Sequence, residues 1–257
     1  MAILFDLDGV FYQAGQPIVG AAEVAQWAKD SAIPHLFLTN TSSKPRSALV
    51  DKLAGFGIGT DESHILTPPV AVVRWLQQNL AGEKIALFVP EKTKAEFSDF
   101  EIVQEGNDVA AVIIGDLGHD WDFSTLNNAF QLLMTEPRPK LIALGMTRYW
   151  QADDGLRLDV APFVMALSHA ADVEPLVMGK PALSFYKTAV DILDEDAAQI
   201  VMVGDDIRGD VEGAQQAGLK AVLVRTGKFR ESDLESGIKA NAVLDSIADF
   251  PVWYESK

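Results

Sequence analysis

Short apolar runs alternate along this chain with segments whose apolar residues recur every three or four positions. The runs Ala2 to Phe5, His35 to Thr39, Gln199 to Val203 and Lys220 to Val224 are compact and largely apolar, as strands buried on both faces of a parallel sheet must be. Between them, Ser43 followed by Pro45 predicts a helix that runs through Phe56 and stops at Gly57. Pro181 opens another, whose Ala182, Phe185, Tyr186, Ala189, Val190 and Leu193 share one face. Asp210 predicts the cap of a short helix that stops at Ala217-Gly218. The alternation predicts the α/β class, with a doubly wound parallel sheet.

The alternation starts afresh between about residues 80 and 175. Strands are expected at Ile85 to Val89, Ala110 to Ile114 and Leu141 to Leu144, and helices at Ser124 to Met134 and Pro162 to Ala171. These elements have enough apolar faces for a core of their own, so the expected organisation is a core domain over 1–79 and 176–257 with an α/β domain inserted over 80–175. Ala81-Gly82-Glu83-Lys84 and Asp172 to Pro175 suit the two linkers.

Charge narrows the function. The 257 residues include 37 acidic and 21 basic ones, a net charge of −16. That surface repels nucleic-acid backbones and anionic membranes, so neither is expected as a partner. The apolar runs fall far short of the roughly 20 residues that span a bilayer, and the N-terminus has no signal-peptide pattern; the expected location is cytoplasmic. With no cysteine, disulfides, thiolate metal sites and cysteine nucleophiles are excluded.

The chemistry-bearing residues gather at strand ends. Asp6 and Asp8 follow the first strand and, two positions apart on an extended chain, point the same way. Two adjacent carboxylates repel each other unless one takes up a proton or a cation sits between them. Asp205, Asp206 and Asp210 follow the third strand and offer hard oxygen ligands that suit Mg²⁺. Asp206 and Asp210 read equally well as a solvated loop residue and a helix cap. Thr39-Asn40-Thr41 and Gly179-Lys180-Pro181 lie at helix starts, where hydroxyls, free amides and an ammonium favour phosphate oxygens. In doubly wound sheets such strand ends converge on one crevice.

Taken in order, Asp6-x-Asp8, Thr39, Lys180 and Gly204-Asp205-Asp206 resemble the four motifs of the haloacid dehalogenase superfamily, most members of which are Mg²⁺-dependent phosphatases. An insertion between the threonine and lysine motifs is similar to the subclass IIA, NagD-like members, which have a Rossmann-like core and a large α/β cap. Gly115-Asp116-Leu117-Gly118, Trp121-Asp122-Phe123, Ala143 to Tyr149 and Asp154-Gly155-Leu156 to Phe163 resemble the branch that holds phospholysine phosphohistidine inorganic pyrophosphate phosphatase. The resemblance implies Asp6 as nucleophile, forming an aspartyl-phosphate, and Asp8 as general acid and base. It implies Mg²⁺ on Asp6, the Asp8 carbonyl and Asp205, with Thr39 and Lys180 on the transferring oxygens. Asp206 and Asp210 would orient Lys180 or water, and Asn40 would touch the phosphate or only the turn. The expected substrate is a small phosphorylated metabolite, with phosphorus–nitrogen or pyrophosphate bonds as further candidates. Arg148 and Tyr149 are the cap candidates for leaving-group contact, or else a surface arginine and a packing tyrosine. Cap-mediated dimers occur in the wider group, so a homodimer through the cap is an expectation.

A different class remains open on these residues: a phospho-accepting or ligand-binding module without turnover. Asp8 and the cap-sized insertion favour the phosphatase, since a signalling phosphoryl group must live long and needs no lid. His35, His64, His119 and His169 lack metal-ligand spacing and read as structural, as do Trp27 and Trp75 on helical faces; Trp121 and Trp150 lie in cap loops.

Overall fold

The computed structural model describes residues 1–106, 108–152 and 155–257. The chain forms two compact units, one from Met1–Thr39, Arg46–Leu66 and Lys180–Lys257, the other from Asn40–Pro45 and Thr67–Gly179.

The first unit is built on a six-stranded sheet. From one edge the strands are Ala242–Leu244, Lys220–Val224, Ile200–Gly204, Ala2–Asp6, His35–Leu38 and Ile65–Leu66, and every pairing is parallel. Ala2–Asp6 and Ile200–Gly204 are buried along their whole length, which is why both read as continuous apolar runs. Strand order reverses between them, so the crevice beyond their carboxyl ends is the topological switch point of the sheet. On one face, Phe5 meets Phe11 edge-on at 5.3 Å and Phe250 at 5.9 Å, in a core shared with Phe37, Leu53 and Val203.

The second unit has its own parallel sheet, ordered Leu176–Val177, Lys140–Ala143, Val109–Ile114 and Lys84–Phe88. Helices Phe123–Leu133 and Val160–Ala171 bury Ala129, Leu132, Val164 and Leu167 in one core with Val112, Ile114 and Leu141. An antiparallel hairpin joins Tyr149–Ala152 to Gly155–Leu158.

Several expectations shift. The helix after Thr39 spans Arg46–Gly55; Ser43 lies three residues ahead of it, because Pro45 disfavours a helical conformation for the residue before it. The Pro181 helix starts at Leu183. Asp206, not Asp210, caps the turn Ile207–Glu212, accepting from the N–H groups of Arg208 and Gly209 at 3.0 and 2.9 Å. Helix Pro68–Asn79, assigned to the core domain by its sequence position, groups with the second unit, where it packs on the turn Ala95–Phe97 and buries Ala71, Val72 and Leu76. Trp150, expected in a cap loop, lies with Tyr149 in the strand Tyr149–Ala152, and Asp154 lies outside the described residues.

Candidate active site

The sheet of the first unit ends in charge. The polar or charged residues it buries are Asp6, Thr39, Lys180, Asp205 and Asp210; Asp6, Thr39 and Asp205 stand at or just beyond the carboxyl ends of three neighbouring strands, Asp210 in the loop that follows one of them, and Lys180 in the turn ahead of helix Leu183–Leu193. A buried charge must be paired and hydrogen-bonded to persist, and Lys180 does most of that pairing. Its Nζ lies 2.6 Å from Asp6 Oδ1 and 2.6 Å from Asp210 Oδ1.

Asp210 is held by its other oxygen, which accepts the backbone N–H groups of Asp205 and Asp206, each at 3.1 Å. This needs a glycine at position 204, since a Cβ there would lie 2.2 Å from Asp210 Oδ2. From the far side the buried Tyr186 hydroxyl donates to the Gly209 carbonyl at 2.8 Å. The loop is thus closed on itself around one carboxylate, and that carboxylate fixes Lys180.

Asp205 is held in a second way. Its Oδ2 accepts the Lys228 N–H at 2.6 Å. Two glycines make room for it: a Cβ on Gly9 (φ +83°) or on Gly227 (φ +65°) would fall 1.9 Å from that oxygen. The Thr226 hydroxyl donates to the Gly9 carbonyl and ties the two turns together. Asp205 Oδ1 is buried and has no hydrogen-bond partner.

The electrostatics follow from this crowding. Burial, with the nearby Asp205 charge, raises the Asp6 pKa against the pull of Lys180. Burial and Asp210 push Asp205 up to about 6. Burial works against the Lys180 ammonium, but Asp210 and Asp6 more than offset it and hold its pKa above the ordinary value. Oxygens of Asp6, Asp205 and Asp210 come within 4.8 Å of one another. With one oxygen of Asp205 buried and orphaned, and only hard oxygen donors at hand, this set fits a divalent cation such as Mg²⁺.

The structure therefore brings together Asp6, Lys180, Asp205 and Asp210, with Asp206 at the rim of the same loop. Thr39 is buried at the end of the neighbouring strand, its N–H donating to the Leu66 carbonyl at 3.2 Å. Asp8 is exposed, in a turn where Gly9 N–H donates to the Tyr12 carbonyl at 2.7 Å. Asn40 belongs to the second unit and lines a cavity of about 250 Å³ there, with Asp116, Thr147, Trp150 and Asp159. Arg148 and Tyr149 are exposed, the guanidinium 5.8 Å from the Tyr149 ring, and neither lines that cavity. Sequence reasoning passed over Lys228 and Tyr186 as site residues; the polar run Arg225-Thr226-Gly227 after the fourth strand points to the first of them.

Residues 3–103 match the haloacid dehalogenase-like hydrolase family and residues 177–250 a HAD-hydrolase-like family. The chain is 36% identical over 252 residues to human phospholysine phosphohistidine inorganic pyrophosphate phosphatase, an alignment that covers 96% of this chain and 91% of that one. The chain belongs to the haloacid dehalogenase superfamily. It is a hydrolase of that superfamily, similar along nearly its whole length to a named phosphatase. A p-nitrophenyl phosphatase from Archaeoglobus fulgidus superposes with a TM-score of 0.89 at 26% identity, over 97% of both chains. NagD from E. coli K-12 shares the fold, with a TM-score of 0.86 at 22% identity over 96% of this chain and 97% of that one. Among the described residues, no helix is long and apolar enough to cross a membrane.

Proposed function

We propose that the chain is a Mg²⁺-dependent phosphatase that hydrolyses a small phosphorylated metabolite through an aspartyl-phosphate on Asp6, the first unit acting as catalytic core and the inserted unit as cap. The observation that carries this reading is the geometry around Asp6. Its carboxylate lies 2.6 Å from a buried ammonium that a second carboxylate holds in place, beside a third carboxylate with one oxygen orphaned.

Asp6 and Asp205, with the backbone carbonyl of Asp8, are the groups that would hold Mg²⁺. A divalent ion there supplies charge neutralisation between the nucleophile and the phosphate it approaches. In the first step an Asp6 oxygen attacks phosphorus and the bond to the leaving oxygen breaks, while Asp8 donates a proton to that oxygen. In the second, Asp8 takes a proton from water as the water oxygen attacks phosphorus; the bond to Asp6 breaks and inorganic phosphate departs. The exposure of Asp8 suits a group that must meet both a leaving group and water. Lys180 and the Thr39 hydroxyl stabilise the charge on the transferring oxygens. Asn40, one peptide bond beyond Thr39, adds an amide to the phosphate surroundings, and Arg148 and Tyr149 face solvent on the cap, open to a leaving group. Asp210 positions Lys180, and Asp206 caps the loop that carries Asp205.

The test is phosphate release from an aryl phosphate and a panel of small phosphometabolites, with Mg²⁺ or EDTA, for wild type and Asp6→Asn. Turnover is expected to require Mg²⁺ and to fall about 10³-fold or more in Asp6→Asn. Mg²⁺ binding without turnover of any panel member would overturn the reading in favour of a phospho-accepting or ligand-binding module.

A further inference from the structure

The turn that carries Asp210 is wider than an α-helix. The Gly213 N–H, which in an α-helix would reach back four residues to the Gly209 carbonyl, donates instead to the carbonyls of Arg208 and Asp210. The Val211 N–H reaches five residues back, to the Asp206 carbonyl at 3.2 Å, the pairing of a π-helical turn. At the Gly209 carbonyl stands the hydroxyl of Tyr186, donating at 2.8 Å, with the Asp210 carbonyl 3.3 Å away. A side chain from another element thus takes the place of a bond that the turn itself gives up.

That element is the one that follows Lys180. Tyr186 is fully buried in helix Leu183–Leu193. Helix and turn approach so closely that a Cβ on Gly213 would fall 2.8 Å from the Tyr186 Cε2 and 2.9 Å from the Pro181 Cβ. One stretch of chain therefore grips the turn twice, Lys180 on the Asp210 side chain at 2.6 Å and Tyr186 on the main chain beside it. Between the two grips the Asp210 carboxylate must also keep the N–H groups of Asp205 and Asp206 on its other oxygen. A carboxylate on a single methylene has little reach. If the turn closed to α-helical pairing, the Asp210 Cα would rotate and one of these partners would be lost.

We infer that Tyr186 is a positioning residue for phosphoryl transfer, its hydroxyl holding the widened turn open so that Asp210 can grip Lys180 with one oxygen and the Asp205–Asp206 backbone with the other. The inference rests on the phosphatase reading above. Tyr186 acts through Asp210, and Asp210 through Lys180.

The test uses Tyr186→Phe, which keeps the ring and removes the hydroxyl, alongside Asp210→Asn and the double variant, with a thermal melt of each. Steady-state rates are measured on p-nitrophenyl phosphate at saturating Mg²⁺. In Tyr186→Phe, kcat per folded molecule is expected to fall about tenfold while KM moves less than about threefold. In the Asp210→Asn background the same change is expected to lower kcat by less than about twofold, because the group it acts through is already gone. A melting temperature that falls while kcat per folded molecule stays constant makes the hydroxyl merely structural and overturns the inference. So does a full tenfold loss on top of Asp210→Asn. If Asp210→Asn does not fold, hydrogen exchange in Tyr186→Phe decides the same point. Exchange at the Asp205 and Asp206 amides accelerated about tenfold more than at the Val203 amide supports the inference, and equal acceleration overturns it. Each of these overturning results leaves the phosphatase reading standing, whereas a wild type inactive on the aryl phosphate and on the wider panel removes that reading and this inference with it.

Discussion

Lys180 and Asp210 form a buried ion pair, Nζ to Oδ1 at 2.6 Å, with side chains 6% and 1% exposed. The partners are 30 residues apart in sequence, so the pair ties the turn before helix Leu183–Leu193 to the loop after strand Ile200–Gly204. Removing one member leaves a buried charge under-compensated, which costs about 3–5 kcal/mol. Asp210→Ala is therefore expected to lose that much stability in urea unfolding. Its kcat should fall too, because Lys180 loses the group that aims it at Asp6. A variant of wild-type stability would show that the pair is solvated and structurally idle.

Gly227 is a second point of close approach. A Cβ there would lie 1.9 Å from Asp205 Oδ2 and 2.6 Å from the Gly9 Cα, at a φ of +65°. Backbone on one side cannot yield, so the carboxylate must. Gly227→Ala is expected to cost about 2–4 kcal/mol from strain and overpacking together, and to weaken Mg²⁺ binding measured by calorimetry. Gly237→Ala is the control. Its φ is +86° with no atom near the added Cβ, so only the conformational term of about 1 kcal/mol applies.

These two cases also mark what a sequence can and cannot convey. Strands Ala2–Asp6 and Ile200–Gly204 are legible because burial on both faces makes each an unbroken apolar run, which stops at the site carboxylates Asp6 and Asp205, themselves buried. The short strands Ile65–Leu66, Leu176–Val177 and Ala242–Leu244 are too brief to show any period. The exchange of roles between Asp206 and Asp210 is illegible for another reason. Both fit a helix cap, and what separates them is Lys180, brought to Asp210 by the tertiary fold. Lys228 contributes a main-chain N–H to Asp205, which nearly any residue could supply, so its side chain leaves no mark in a motif. Helix Pro68–Asn79 has an apolar face whatever unit it joins, and only its packing against Ala95–Phe97 decides the boundary.

Trp121 in the second unit is stacked between Phe163, at 4.6 Å, and Phe88, at 6.1 Å, yet its indole N–H is buried without an acceptor. An orphaned donor is a penalty that phenylalanine does not carry, while most of the ring contact survives the exchange. Trp121→Phe is therefore expected to change stability by less than about 1 kcal/mol, against a loss on the order of 3 kcal/mol for Trp121→Ala. Chemical denaturation of the three proteins checks the order; equal losses in both variants would mean that the indole N–H is satisfied in solution.

His35 ties stability to pH. Its Nδ1 lies 2.8 Å from the Ile33 carbonyl, which suits the neutral tautomer that donates there, and its ring packs edge-on against Phe37 at 5.8 Å and near the His64 ring at 5.4 Å. Burial, aided by the His64 and Lys29 charges and opposed by the Ile33 bond, lowers its pKa below the ordinary 6.5. Below pH 6.5 the unfolded chain then takes up a proton that the folded chain resists, so this contribution is fully present above 6.5 and is lost as pH falls through the folded pKa. Thermal melts of wild type and His35→Gln between pH 8 and pH 5 test the sign. The wild type should lose Tm more steeply on acidification, and the two curves should run closest to parallel above pH 7. A steeper acid loss in the variant would mean that the folded protein binds the proton more tightly than the unfolded chain does.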